Sequence, residues 1–258
     1  MRTRRGAGAL ALGLALLLAL PAAQALTWRE IDFDGAHYTI VELDLVRDPL
    51  ALYWRDPADG MPYGTLGALA EHERQRGRRL RFATNAGIYA EGQVPLGLTV
   101  EEGVEQVPLN RARGGGNFFL QPNGVFAVWG RSHAAVLNSA EYARRRGPLP
   151  RLATQSGPML LIDGRIHPRF QRDSDSLKLR SGVCVPAPGQ VSFAISDGLV
   201  SFHAFARLFR DALGCRDALY LDGSISQMHL DGRDGLAGAD RWRTRPFAAL
   251  LGVSVPAP

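Results

Sequence analysis

The chain has 258 residues and a formal charge of +5. Arg2, Arg4 and Arg5 supply three of the positive charges, so the remainder carries about +2, and its length suits one large buried core. Lys178 is the only lysine beside the arginines, and no aromatic–basic stripe or nucleic-acid motif accompanies them, which argues against nucleic acid as a partner.

Residues 1–25 have the pattern of a secretory signal peptide. "MRTRR" is basic, and "GALALGLALLLAL" is an apolar core shorter than the ~20 residues of a membrane span. Pro21 ends that core, and "AQA" at 23–25 is a small-x-small cleavage site. The expected mature chain begins near Leu26, keeps no stable membrane span, and is periplasmic or secreted.

Strand-like alternation follows at 37–46 and 50–55, joined through Asp48-Pro49. Residues 64–77 place Leu66, Leu69 and Ala70 on one face and stop at Gly77, which predicts a short helix. "LRFATNAGIY" (80–89) opens as a buried strand and breaks at Asn85. "GNFFLQPNGVFAVW" predicts a hairpin with Pro122-Asn123-Gly124 at its tip, and "PMLLIDGRIHP" a second one turned by Asp163-Gly164. "SFHAFARLFRDALG" (201–214) predicts a helix capped by Ser201 and stopped by Gly214, with Phe202, Phe205, Phe209, Ala212 and Leu213 on its apolar stripe. It leads straight into "ALYL" (218–221), and residues 246–254 supply a final buried strand. The sum is an α+β single domain, a strand-rich mixed sheet core with a few covering helices. Residues 26–79 contribute N-terminal strands and a helix to the same globular unit.

Two cysteines are present, Cys184 and Cys215. In an exported protein such a pair can form a disulfide. Each also sits in an apolar setting, "SGVCVP" and "ALGCRDAL", where a buried thiol packs equally well. Both readings stand at this level.

Familiar catalytic motifs are missing: there is no G-x-S-x-G, no G-x-x-x-x-G-K-[ST] and no H-E-x-x-H. Gly114-Gly115-Gly116 lacks the partners of a phosphate loop and reads as a flexible connection. The six histidines are scattered, His203 on a helix and His229 in a strand, and read as structural. Nothing calls for a metal or another cofactor. What stands out is polar chemistry where apolar strands end. Asn85 follows "LRFAT", Gln155-Ser156-Gly157-Pro158 follows "RLAT", and Asp222 follows "ALYL", while Arg180-Ser181-Gly182 opens "VCV". Each alone is a turn; a carboxylate, two amides, a guanidinium and small residues at four strand ends predict a shared pocket. The Asp222-Gly223 step poses the sharpest choice, between a hairpin turn and a strand end that carries a carboxylate to a ligand.

Those four segments resemble the phosphodiester glycosidases, the family of the lysosomal uncovering enzyme, and most of all its bacterial exported branch. The family's Asn-Gly-Gly-like, Gly-Gly-Pro, Arg-before-Gly and Leu-Asp-Gly-Gly-x-Ser motifs stand here as "TNAGIY" (84–89), "TQSGPMLLIDG" (154–164), "LRSGV" (179–183) and "ALYLDGSISQM" (218–228). The likeness spans residues 80–254. Ala86, Ser156 and Ser224-Ile225 replace family glycines, which fills space near the pocket and leaves the sugar open.

The resemblance implies water displacing a phosphate monoester from an anomeric carbon. Asp222 would activate the water or stabilise an oxocarbenium-like transition state. Arg180 would offer phosphate a bidentate fork. Asn85 and Gln155 would bond sugar hydroxyls, with Gly87 and Ser156 beside them, and Gly157 and Gly223 would admit the ligand close to the backbone. Ser226 would bind phosphate or buttress Asp222. Asp197, Asp173 and Glu91 are candidates for a second carboxylate. The partner so implied is a carbohydrate phosphodiester. Two alternatives remain, an envelope carbohydrate-binding protein without turnover and a metal-independent phosphodiesterase that breaks P–O.

Overall fold

The structure is a computed structural model that describes residues 26–238 and 245–258; the signal-peptide expectation lies outside the described residues. Strands β1 (Thr27–Phe33) and β2 (Ala36–Asp44) form a hairpin around Asp34-Gly35, whose φ angles of 53° and 77° suit a tight primed turn. Asp48 then closes the loop by accepting the backbone N–H groups of Leu26 and Asp44, each at 2.9 Å. Beyond it, β3 (Leu50–Tyr53) joins a different sheet. Helix α1 (Leu66–Gln75) starts where Thr65 accepts the Ala68 N–H and buries Leu66 and Leu69 against β4 (Arg78–Asn85). A short ribbon, β5 (Tyr89–Ala90) with β6 (Val94–Pro95), precedes the hairpin β7 (Thr99–Glu101) and β8 (Val104–Val107).

The next hairpin departs from the sequence reading. Strand β9 (Gly124–Trp129) pairs forward with β10 (His133–Asn138), across Gly130–Ser132, so Pro122-Asn123-Gly124 is no hairpin tip. Residues 117–119 are one 3₁₀ turn instead. The Asn123 side chain donates to the Phe118 carbonyl at 3.0 Å, and its own carbonyl accepts from Ser139 at 3.0 Å, so turn-like residues here fasten β9 to the start of α2 (Ser139–Arg144).

Strands β11 (Leu152–Ser156), β12 (Met159–Ile162) and β13 (Arg165–Ile166) follow, and β12 and β13 make the hairpin expected at Asp163-Gly164. After β14 (Ser181–Cys184) and β15 (Gln190–Ser196), helix α3 (Phe202–Arg207) begins at Ser201, which accepts the Ala204 N–H, and widens to π-helix over 208–212. Strands β16 (Ala218–Asp222), β17 (Gln227–Leu230), β18 (Ala237–Gly238) and β19 (Leu250–Pro256) complete the described chain.

Three sheets result, in the orders β1-β2-β15-β14-β16-β12-β13, β10-β9-β11-β7-β8 and β18-β17-β4-β19-β3. This is the expected strand-rich α+β single domain, but its sheets are not mixed: the paired strands among the described residues run antiparallel. Period-two alternation gives the seven-stranded sheet two buried faces. Along β16, Leu219 and Leu221 enter the core between sheets with Phe82, Phe126, Phe193 and Leu251, while Ala218 and Tyr220 lie under α3 with Phe205 and Phe209. Each such phenylalanine contributes about 1.5–3 kcal/mol by burial. Cys184 and Cys215 are bonded in this outer layer, which settles the open pairing. No helix among the described residues is long and apolar enough to cross a membrane.

Candidate active site

The four polar breaks meet where the three sheets meet. Strand β16 does not fold back on itself: the next strand, β17, pairs with β4 in another sheet. The Asp222-Gly223 step is therefore a crossing between sheets, and neither residue has a positive φ. Asp222 continues the row of Ala218 and Tyr220, one pleat past the part of the strand that α3 covers. Opposite it the register slips between Ser181 and Gly182, a bulge of the kind that re-aims a strand's last side chain.

The Asp222 carboxyl lies in an open cleft of about 670 Å³, with Tyr89, Glu91, Gln93, Ile225 and Arg245 among its walls. One carboxylate oxygen accepts the Gly223 N–H at 2.7 Å. Burial pushes the Asp222 pKa up to about 6, and that single backbone bond opposes the rise. Across the cleft the Tyr89 phenol is pushed up to about 12, by burial first and the Asp222 charge second, with Arg245 countering. Tyr89, Asp222 and Arg245 thus share one electrostatic field. Of the candidate second carboxylates, Glu91 lines this cleft. Asp197 is engaged elsewhere, accepting from Thr39 at 3.3 Å with His37 at 3.7 Å, and Asp173 is exposed outside the cleft.

Behind the carboxyl runs a line of buried hydrogen bonds. Asn85 Nδ2 reaches Ser226 Oγ at 3.4 Å, Ser226 and Ser181 hydroxyls meet at 2.8 Å, and Ser181 Oγ donates to the Asp222 carbonyl at 3.4 Å. Asn85 Oδ1 also accepts the Gln227 N–H at 3.1 Å, and Ser226 N donates to the Gly223 carbonyl at 2.7 Å. One proton order, Asn85 to Ser226 to Ser181 to Asp222, makes all three bonds at once. Asn85 and Ser226 therefore fix the backbone that carries Asp222. Ser156 does the same from the second sheet, donating to the Leu221 carbonyl at 2.7 Å and accepting the Ile88 N–H at 3.3 Å.

The glycines serve close packing. A Cβ on Gly87 would stand 2.5 Å from the Gln155 carbonyl oxygen, so only glycine lets the 86–88 loop lie flat on β11 and present Tyr89 to the cleft. A Cβ on Gly157 would stand 2.6 Å from Asn123 Cβ, and one on Gly223 would strike the Tyr220 hydroxyl.

Two expected ligand contacts are differently employed. Gln155 does not reach toward a sugar: Oε1 accepts from Leu98 and Asn110 N–H groups at 3.0 and 2.9 Å, and Nε2 donates to the Asn110 carbonyl and Ser139 Oγ at 2.8 and 3.0 Å. Its bonding capacity is full, and it staples 98–110 to β11. Arg180 is 1% exposed and donates Nε to the Val200 carbonyl at 2.8 Å and one Nη to the Ser176 carbonyl at 2.9 Å. Its guanidinium lies 3.6 Å over the Phe202 ring. The remaining nitrogen is buried beside Tyr220. No bidentate fork is left for phosphate, and Arg180 is not among the described residues lining the Asp222 cleft. Among the described residues, Arg245 is the cation that lines it. Sequence reasoning missed Arg245, which stands in no motif, and passed over Tyr89, which closes "TNAGIY".

Residues 78–254 match the family pattern described as phosphodiester glycosidase. The chain belongs to the phosphodiester glycosidase family. The uncharacterized protein YigE of Escherichia coli (strain K12) is 38% identical over 202 residues, 78% of this chain and 76% of that protein. In fold the chain is similar to the catalytic domain of zebrafish N-acetylglucosamine-1-phosphodiester alpha-N-acetylglucosaminidase, auto-inhibited by its pro-peptide. That comparison has a TM-score of 0.58 and 18% identity over 88% of this chain and 81% of the zebrafish one. A hypothetical protein from Synechocystis gives a TM-score of 0.60 and 17% identity over 90% of this chain and 62% of that one.

Proposed function

We propose that this member of the family is an exported hydrolase that cleaves the glycosidic C–O bond of a sugar-1-phosphodiester in an envelope or extracellular glycoconjugate. The observation that carries the reading is Asp222: a strand-end carboxyl in an open cleft, on a backbone segment fastened by hydrogen bonds from three sheets, with its pKa raised to about 6 and a guanidinium on the same cleft. At neutral pH such a group is mostly ionised yet basic enough to take a proton.

In this reading water attacks the anomeric carbon, and the C–O bond breaks toward phosphate, which leaves with the electron pair. The water's proton passes to Asp222, whose charge also offsets the positive charge that grows on the sugar. Arg245 takes the negative charge arriving on the phosphate. Phosphate is a good leaving group, so binding its charge matters more than protonating it. Tyr89 and Glu91 also line the cleft that would hold the substrate. Ile225, standing in the stretch where the family carries glycine, adds apolar surface to the cleft and bears on which sugar fits. Support for export comes from the basic-then-apolar first 25 residues and from the Cys184–Cys215 disulfide, a bond suited to oxidising compartments.

A panel of alkyl and aryl sugar-1-phosphodiesters, incubated with wild-type protein and with Asp222→Asn, tests the proposal. Release of free sugar by the wild type and its loss in the variant is the expected outcome. Substrates bound but never turned over would contradict it.

A further inference from the structure

A second charged hollow lies on the helix-covered side of the seven-stranded sheet and shares no lining residue with the Asp222 cleft. It encloses about 430 Å³ and is walled by Arg172, His203, Arg207 and Arg210, with Asp34 and Ile166 completing it. Two of the arginines are pinned. Arg207 donates to Asp34 at 2.7 Å and to Asp211 at 3.3 Å, and Arg210 holds Asp211 with two bonds at 2.7 and 3.1 Å. Arg172 has no hydrogen-bond or ion-pair partner among the described residues. Three guanidinium groups thus face two carboxylates, and one positive charge is unanswered.

We propose that this hollow binds a phosphate dianion, free or as the end group of a phosphomonoester. Guanidinium groups match the oxygen spacing of phosphate, and two of them are already held in place by acidic neighbours, so little side-chain freedom is lost on binding. The volume exceeds that of phosphate alone and leaves room for a small organic group beside it. His203 sits on the wall as a reporter. Burial and then the charges of Arg172, Arg207 and Arg210 disfavour its protonation, Asp34 opposing them. A dianion in the hollow reverses that field, so protonation of His203 becomes easier when it is bound.

Titration of the full-length protein with inorganic phosphate, and separately with glucose 6-phosphate, followed by NMR of the His203 ring, tests this. The expected result is saturable binding with a dissociation constant of about 1 mM and an upward-moving His203 titration midpoint, not reproduced by sodium chloride at matched ionic strength. Tighter binding of glucose 6-phosphate would assign the spare volume to an organic group; equal binding would assign the site to phosphate itself. Arg172→Ala removes an exposed, unpaired side chain, so it should keep the fold and any hydrolysis at the Asp222 cleft while weakening both ligands about tenfold. An unmoved His203 with both ligands, or binding unchanged in Arg172→Ala, would overturn the proposal.

Discussion

Two of the Asp-Gly steps that follow apolar strands in the second half of the chain, Asp163-Gly164 and Asp222-Gly223, are put to opposite uses. At Asp163-Gly164 both residues have positive φ, 50° and 77°, Ile162 pairs back with Arg165, and the carboxylate reaches outward to Arg216 at 2.6 Å. At Asp222-Gly223 neither φ is positive, the strand crosses into another sheet, and the carboxyl is partly buried at a cleft with its pKa raised to about 6. The dipeptide permits a tight turn but does not require one. The next four residues decide: "RIHP" returns to its own sheet, whereas "SISQ" is held by Asn85 and Ser181 in the other direction.

The largest difference should appear when each aspartate loses its charge. Asp222→Asn is expected to cost 10²–10⁴ in hydrolysis rate, on the order of removing a general base, with the fold intact. Asp163→Asn should stay within about twofold, because asparagine suits a primed turn as well as aspartate does. Rates on one sugar-1-phosphodiester, with melting curves as the folding control, separate the two; equal rates for all three proteins would erase the distinction.

The glycines sharpen it further. Gly223→Ala pushes a methyl group into the Tyr220 hydroxyl directly beneath Asp222 and should lower activity about 10–100-fold by displacing the carboxyl. Gly164→Ala has open space around it but a φ of 77°, so it should cost about 1 kcal/mol of stability and no activity. Denaturant midpoints and rates measured side by side would show the opposite pattern if the Asp222 segment were an ordinary turn.

The smallest effect is a pH dependence. A base with pKa about 6 gives kcat/KM that falls tenfold per pH unit below that value. Stability follows the sign of the shift. The folded pKa lies above the unfolded 3.8, so the contribution of Asp222 is full below 3.8 and is lost as pH rises through about 6. The melting temperature of Asp222→Asn should therefore gain on the wild type between those values and hold its gain above them. A difference that runs the other way would mean the carboxylate is stabilised in the fold.

Much of this was legible in the residues. Ser201 and Gly214 delimited α3 and its π-helical extension because a cap and a stop act locally, and the apolar run of β16 announced a buried strand with a carboxyl at its end. The misplaced hairpin at Pro122-Asn123-Gly124 shows where local chemistry misleads: those residues favour a turn, but Asn123 spends its hydrogen bonds on Phe118 and Ser139. Gln155 and Arg180 teach a related lesson. An amide or guanidinium has the same letter whether it faces a ligand or backbone carbonyls, and only the folded chain shows that Leu98, Asn110, Val200 and Ser176 claim them. Arg245 was invisible because its approach to Asp222 depends on β19 lying beside β4.

Hydrolysis in oxygen-18 water tests the central claim most directly, since it asks which atom the water attacks. With Asp222 directing water at the anomeric carbon, the label is expected in the released sugar and not in the phosphate monoester, as read by mass spectrometry of both products. Label in the phosphate would mean that the P–O bond breaks, and the glycosidic account of this cleft would be wrong.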